Sequence, residues 1–129
     1  MRLYSFLVIF LLVIGATSMP ATASFQTDVI PTSAGPLEIT CIGHGTLMFT
    51  FGGKVVHVDP VGAYADYSAL PKADLILVTH QHRDHLDPKA IALVRRPETA
   101  IIVNELSASQ VPGSLVMKNG EVKTVAGLN

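Results

Sequence analysis

The run Leu75-Ile76-Leu77-Val78-Thr79 leads directly into His80-Gln81-His82-Arg83-Asp84-His85. A short, unbroken apolar run reads as a buried strand. The six residues after it hold three imidazoles and a carboxylate. Solvation of an ordinary loop does not call for so many donor groups. A fold that accepts this sequence must bring the end of a buried strand to a place where these side chains find partners. Imidazole and carboxylate together suit zinc and its first-row neighbours.

Side chains of an extended segment alternate between faces, so His80 and His82 are expected to point the same way, with Asp84 starting on that side. The chain then turns towards Asp87, and the turn can bring His85 beside Asp84. Two pairs result, His80 with His82 and Asp84 with His85. A catalytic zinc takes three protein ligands and leaves one position for water. Two pairs alone therefore do not complete two such sites.

The 129 residues carry Lys+Arg 9 against Asp+Glu 10, a formal net charge of -1. That balance offers no electrostatic footprint for nucleic acid or for an anionic membrane surface. Residues 1–23 read as a secretory signal peptide: Arg2, the apolar stretch Leu3 to Ile14, Pro20, then the small residues of Ala21-Thr22-Ala23. The apolar stretch is short for a bilayer core that needs about 20 residues. A mature chain starting near Ser24 is expected to be periplasmic or secreted, with no stable membrane anchor after cleavage. Cys41 is the one cysteine, so no intramolecular disulfide can form. Its place in an apolar segment predicts a buried structural thiol.

Residues 24–36, rich in Ser, Thr and Pro, are expected to form a lead-in arm. The remainder, 37–129, has the size of one small domain. Strands are expected over Leu37–Ile42, Thr46–Phe51 and Lys54–Asp59, the last two joined by the two-residue turn Gly52-Gly53. Residues 60–71 are expected to be irregular, with one helical turn around 65–70. Asp87 and Pro88 suit the N-cap and first position of a helix with Ile91, Leu93 and Val94 on its apolar side. Arg95 and Arg96 are expected in its last turn, and Pro97 stops it. A strand over Ala100–Val103, a weak helical turn over 105–110, and a hairpin of Leu115–Lys118 with Glu121–Val125 about Asn119-Gly120 complete the reading. The order is mixed α/β rather than doubly wound.

The segment from Thr79 to Asp87 resembles the T-H-x-H-x-D-H signature of the metallo-β-lactamase superfamily. His57-Val58-Asp59-Pro60 resembles that superfamily's early aspartate motif. Gly43-His44-Gly45-Thr46 before a hairpin is similar to its branch of small metal-dependent hydrolases, which includes lactonase and phospholipase D-like proteins. The resemblance implies an αββα sandwich, of which this chain is expected to supply the N-terminal half, a mixed sheet with flanking helices.

It also implies roles. His80 and His82 would bind one metal. Asp84 and His85 would bind a second, with Asp84 the catalytic carboxylate near a bridging water. The ions would be two zinc ions in the complete protein, with manganese or iron as substitutes. Asp59 would orient the ligand loop, or else merely cap a turn before Pro60. His44 would line the pocket, or else be a plain turn histidine. His57 is read as structural. The family pattern takes a further histidine, a bridging aspartate and a last histidine from downstream, and no histidine follows His85 here. The chain is therefore expected to be part of a longer protein.

The activity this implies is hydrolysis of a small molecule, a lactone, a phosphodiester or a related ester. The alternatives are a non-catalytic exported metal-binding module and an inactive hydrolase fragment.

Overall fold

The computed structural model describes residues 24–129. Residues 1–23, expected from sequence to be a signal peptide, lie outside the described residues. The described residues form one seven-stranded sheet whose spatial order follows the sequence, β1 to β7. The strands are β1 (Gln26–Thr32), β2 (Gly35–Gly43), β3 (Thr46–Phe51), β4 (Lys54–Val58), β5 (Leu75–Val78), β6 (Ala100–Val103) and β7 (Leu115–Val116). β1 to β4 are antiparallel neighbours, and β4 to β7 are parallel. The sheet is therefore mixed, and its seam lies at β4.

The antiparallel part follows from turn chemistry. Gly52 and Gly53 have φ of 55° and 75°, the positive values that a tight turn matched to strand twist requires. They set the register that pairs Phe51 with Lys54 and Leu47 with Val58. A β-bulge between Cys41 and Gly43 interrupts the β2–β3 pairing just before the next turn.

The parallel part is closed by a helix, α1 (Pro88–Val94). Asp87 is its N-cap, accepting the backbone N–H of Lys89 at 2.9 Å and of Ala90 at 3.4 Å. Ala90, Ile91 and Val94 face inward and pack with Ile76, Val78, Ile101 and Val103 of the sheet in one apolar cluster. Ile76 and Val94 are wholly excluded from solvent. Each such side chain contributes about 1.5–3 kcal/mol of burial. The opposite face of the sheet carries Leu75, Leu77 and Ile102, which border a groove of about 380 Å³ with Val125 and Leu128 of the C-terminal segment.

Several expectations need correction. The lead-in arm contains a strand: β1 pairs with β2 along its whole length, Gln26 opposite Cys41 and Thr32 opposite Gly35. Pro31 is tolerated because β1 is the edge strand. Cys41 is exposed rather than buried, because strand alternation turns Thr40 and Ile42 inward instead. Residues 65–70 form turns and bends without a helical turn. Arg95 is the C-cap and Arg96 lies beyond the helix, where its guanidinium pairs with Asp74 at 2.8 Å. The C-terminal hairpin is absent. β7 ends at Val116 and runs parallel to β6, while residues 121–124 form no strand. Asn119-Gly120 does turn, with Glu121 N–H donating to the Lys118 carbonyl at 3.1 Å. β7 is only two residues long and lies at the edge of the sheet, and the Val116 carbonyl accepts from the Lys123 side chain at 3.1 Å.

Candidate metal centre

Three loops meet at one end of the sheet. The β2–β3 turn brings His44, the residue after β4 is Asp59, and the residues after β5 run from Thr79 to His85. β3 is antiparallel to β4, and β4 is parallel to β5. The start of β3 and the ends of β4 and β5 are therefore side by side. Open α/β sheets gather ligands at the carboxyl ends of parallel strands.

Asp59 is the hub. It is 1% exposed. Its Oδ1 accepts the Thr79 backbone N–H at 2.7 Å, and its Oδ2 accepts the Thr79 hydroxyl at 2.6 Å. Oδ2 also lies 2.8 Å from Nδ1 of His85. Asp59 holds a φ of 47°, a left-handed conformation that aspartate tolerates better than most residues. A carboxylate only accepts, so the His85 proton sits on Nδ1 and leaves Nε2 as a free donor atom.

The same logic fixes His80. Thr79 has one hydroxyl proton and gives it to Asp59. Its oxygen lies 2.9 Å from Nδ1 of His80, so it accepts from that nitrogen. His80 Nε2 is then free as well. One buried carboxylate thus sets the tautomer of two histidines, the arrangement that outer carboxylates impose on metal-binding imidazoles. Thr79 was not singled out for this role from sequence. Its position between the apolar run and His80, and its place at the head of the T-H-x-H-x-D-H signature, were the signals.

The turn after His82 supplies the rest. Backbone N–H groups of His85 and Leu86 both donate to the His82 carbonyl, at 2.9 and 2.8 Å. This swings Asp84 and His85 back against the cluster. The rings of His80 and His85 lie 4.0 Å apart, and His82 stands edge-on to His80 at 4.8 Å. Asp84 Oδ2 lies 3.1 Å from His44 Nε2 and 3.7 Å from His85 Nε2. Its own backbone N–H first, and then His85 and His44, hold the Asp84 carboxyl below its usual range. It is an ionised donor, ready for a cation.

All six residues singled out from sequence, His44, Asp59, His80, His82, Asp84 and His85, come to this end of the sheet. Donor atoms of His44, Asp84 and His85 lie within 4.8 Å of one another, and so do those of Asp59, His80 and His85. His82 belongs to neither set and is exposed. His44 lies in the turn, with φ 52° and its ring stacked 5.8 Å from Tyr64. His57, by contrast, is fully buried away from the cluster and lies 3.0 Å from the Pro71 carbonyl through Nε2. A donor set of imidazoles and carboxylates with preset tautomers fits a zinc-type cation.

Comparison with known proteins agrees in kind. A family model described as a β-lactamase superfamily domain matches residues 38–129. A UPF0173 metal-dependent hydrolase of Cupriavidus necator is 35% identical, over 85% of this chain and 43% of its own length. One from Cupriavidus taiwanensis is also 35% identical, over 87% of this chain and 45% of its own length. A crystal structure from Parabacteroides distasonis, provisionally classed as a metal-dependent hydrolase, superposes with TM-score 0.76 at 50% identity. It covers 78% of this chain and 46% of that one. The chain spans under half the length of the curated relatives named here.

Proposed function

The chain belongs to the β-lactamase superfamily, and from that premise we propose that it carries the first ligand loop of an exported, zinc-dependent hydrolase. His80 and His82 serve one cation, Asp84 and His85 a second, and Asp59 orients the loop. Manganese or iron could occupy the same donors. The single observation that carries the reading is the Asp59–Thr79 network, which leaves Nε2 of both His80 and His85 unprotonated beside an ionised Asp84.

When bound, the metal supplies a water of lowered pKa and polarises the scissile bond. The chain's own groups do the remainder. Asp84, exposed at the mouth of the cluster, holds and orients the attacking water. Asp59 and Thr79 keep the two imidazoles from rotating. The substrate is a small molecule, and the resemblance to lactonase and phospholipase D-like proteins favours a lactone or phosphodiester. The near-neutral charge supports a partner other than nucleic acid. The apolar N-terminal segment supports export to the periplasm or beyond.

The test uses protein purified from its source. Its metal content is measured, and lactone and phosphodiester probes are assayed with and without a chelator. His82→Ala and Asp84→Ala should each abolish hydrolysis. Wild-type turnover in either variant would overturn the assignment. Stoichiometric metal with no hydrolysis of any probe would identify a non-catalytic metal-binding module instead.

A further inference from the structure

The donor set His44, Asp84 and His85 goes beyond the four ligands of that reading. We infer that His44 is a further ligand of the Asp84–His85 cation, with His44 Nε2, Asp84 Oδ2 and His85 Nε2 as donors supplied by this chain. The inference rests on the metal-binding reading above and adds a residue to it.

Spacing is the first argument. Donors about 2.0–2.1 Å from a tetrahedral zinc stand about 3.3–3.4 Å from one another. Asp84 Oδ2 is 3.1 Å from His44 Nε2 and 3.7 Å from His85 Nε2, which brackets that value. The three atoms lie within 4.8 Å of one another, and the His44 and Asp84 side chains are each about half exposed. A fourth position is therefore open to water or substrate.

Competition for donors is the second. The other compact set includes Asp59, but Asp59 Oδ2 already accepts two hydrogens and Oδ1 a third. His85 Nδ1 is committed to Asp59, so His85 can give only Nε2. That atom lies near Asp84 and on the side where the His44 ring stands 5.2 Å away. Asp59 is thus the orienting group of this site, whereas His44 Nε2 is bonded to Asp84 Oδ2 at 3.1 Å, a contact between two ligating atoms that a cation would replace.

The construction of the turn is the third. His44 adopts a left-handed φ of 52°, a conformation that disfavours a residue with a Cβ. Strain of this kind persists where the surroundings over-determine it. Tyr64 stacks on one side of the His44 ring. The adjoining residue is Gly45, where a Cβ would meet His85 Cε1 at 2.8 Å. The turn is shaped to bring His44 and His85 together.

Zinc titration of the full chain, followed by ring-nitrogen NMR of its five histidines, tests this without any assay of activity. The expected result is that His44 and His85 move together into the Nε2-bound, Nδ1-protonated state at the first equivalent. His44→Asn keeps a residue that accepts the left-handed turn, and zinc affinity should fall about tenfold or more. A His85 response with no change at His44, or His44→Asn binding as tightly as wild type, would overturn the inference and leave the hydrolase reading standing. No response from any histidine would overturn both. If His44→Asn does not fold, the ring-nitrogen spectra of the wild type still decide.

Discussion

Gly45 and His85 are in such close register that a methyl group on one would stand 2.8 Å from Cε1 of the other. The imidazole lies against bare backbone, with its Nδ1 held by Asp59 at 2.8 Å. A methyl group at residue 45 would force the ring to shift from this position. Gly45→Ala should therefore displace the ring and lower zinc affinity about tenfold or more, with circular dichroism unchanged. Calorimetric titration beside the wild type checks this.

Asp59→Asn tests the hub. An amide keeps the size but offers one acceptor oxygen and one donor group, whereas the site asks for three acceptances. One of the Thr79 or His85 protons must then face an N–H. The expected loss is about 1–3 kcal/mol of stability, together with a 10- to 100-fold drop, roughly, in metal affinity. Urea unfolding in chelator separates the first effect from the second.

His57 predicts a pH dependence. Burial holds its imidazole below the ordinary histidine range, against the smaller opposing effect of the Pro71 carbonyl. The unfolded chain takes up this proton near pH 6.5, roughly, and the folded chain only at lower pH. Its contribution is fully present above the unfolded value and is lost as pH falls below it. In chelator, the stability difference between wild type and His57→Gln should be flat above about pH 6.5 and should shift against the wild type on acidification. A difference independent of pH would show that His57 protonates equally in both states.

Ile76→Ala addresses the core alone. Ile76 is wholly buried on β5 among residues of α1 and β6. Truncation should cost about 2–5 kcal/mol. Thermal unfolding would register this as a lower midpoint.

Chelation should act on the loop and spare the sheet. Amide exchange measured with zinc and then with a chelator should change mainly over residues 79–86 and 43–46, with β5 and β6 unchanged. Equal loosening throughout would mean that the metal holds the fold rather than the site.

The sequence was most readable where local chemistry decides the outcome. Gly52-Gly53 admits few turns other than the one observed. Asp87-Pro88 marks the helix start, and the apolar run before His80 is the central strand. The donor cluster was legible because its residues are consecutive and the strand end fixes their direction. What stayed hidden depended on partners far away in sequence. The β1 strand exists because β2 offers it an edge, and its Ser, Thr and Pro content gives no strand signal. Cys41 follows the alternation of its strand, not the preference of its side chain. β7 follows β6, and although Asn119-Gly120 turns, residues 121–124 form no strand beside it. Asp59 and His44 were visible as residues, but their placing needed three strands in register. Thr79 as the relay to His80 could be recognised only from its distances.

The seam at β4 has a kinetic meaning. β1 to β4 are joined by short turns and can assemble early from local contacts. β5 and β6 reach their parallel neighbours only after longer excursions through 59–74 and 79–99, and such pairings form slowly. His44 and Asp59 belong to the early part, while Thr79, His80, Asp84 and His85 belong to the late one. The donor cluster therefore straddles the join between the two parts. A cation captured there would act as a latch on the slow step, and its departure would first reopen the boundary between the two parts.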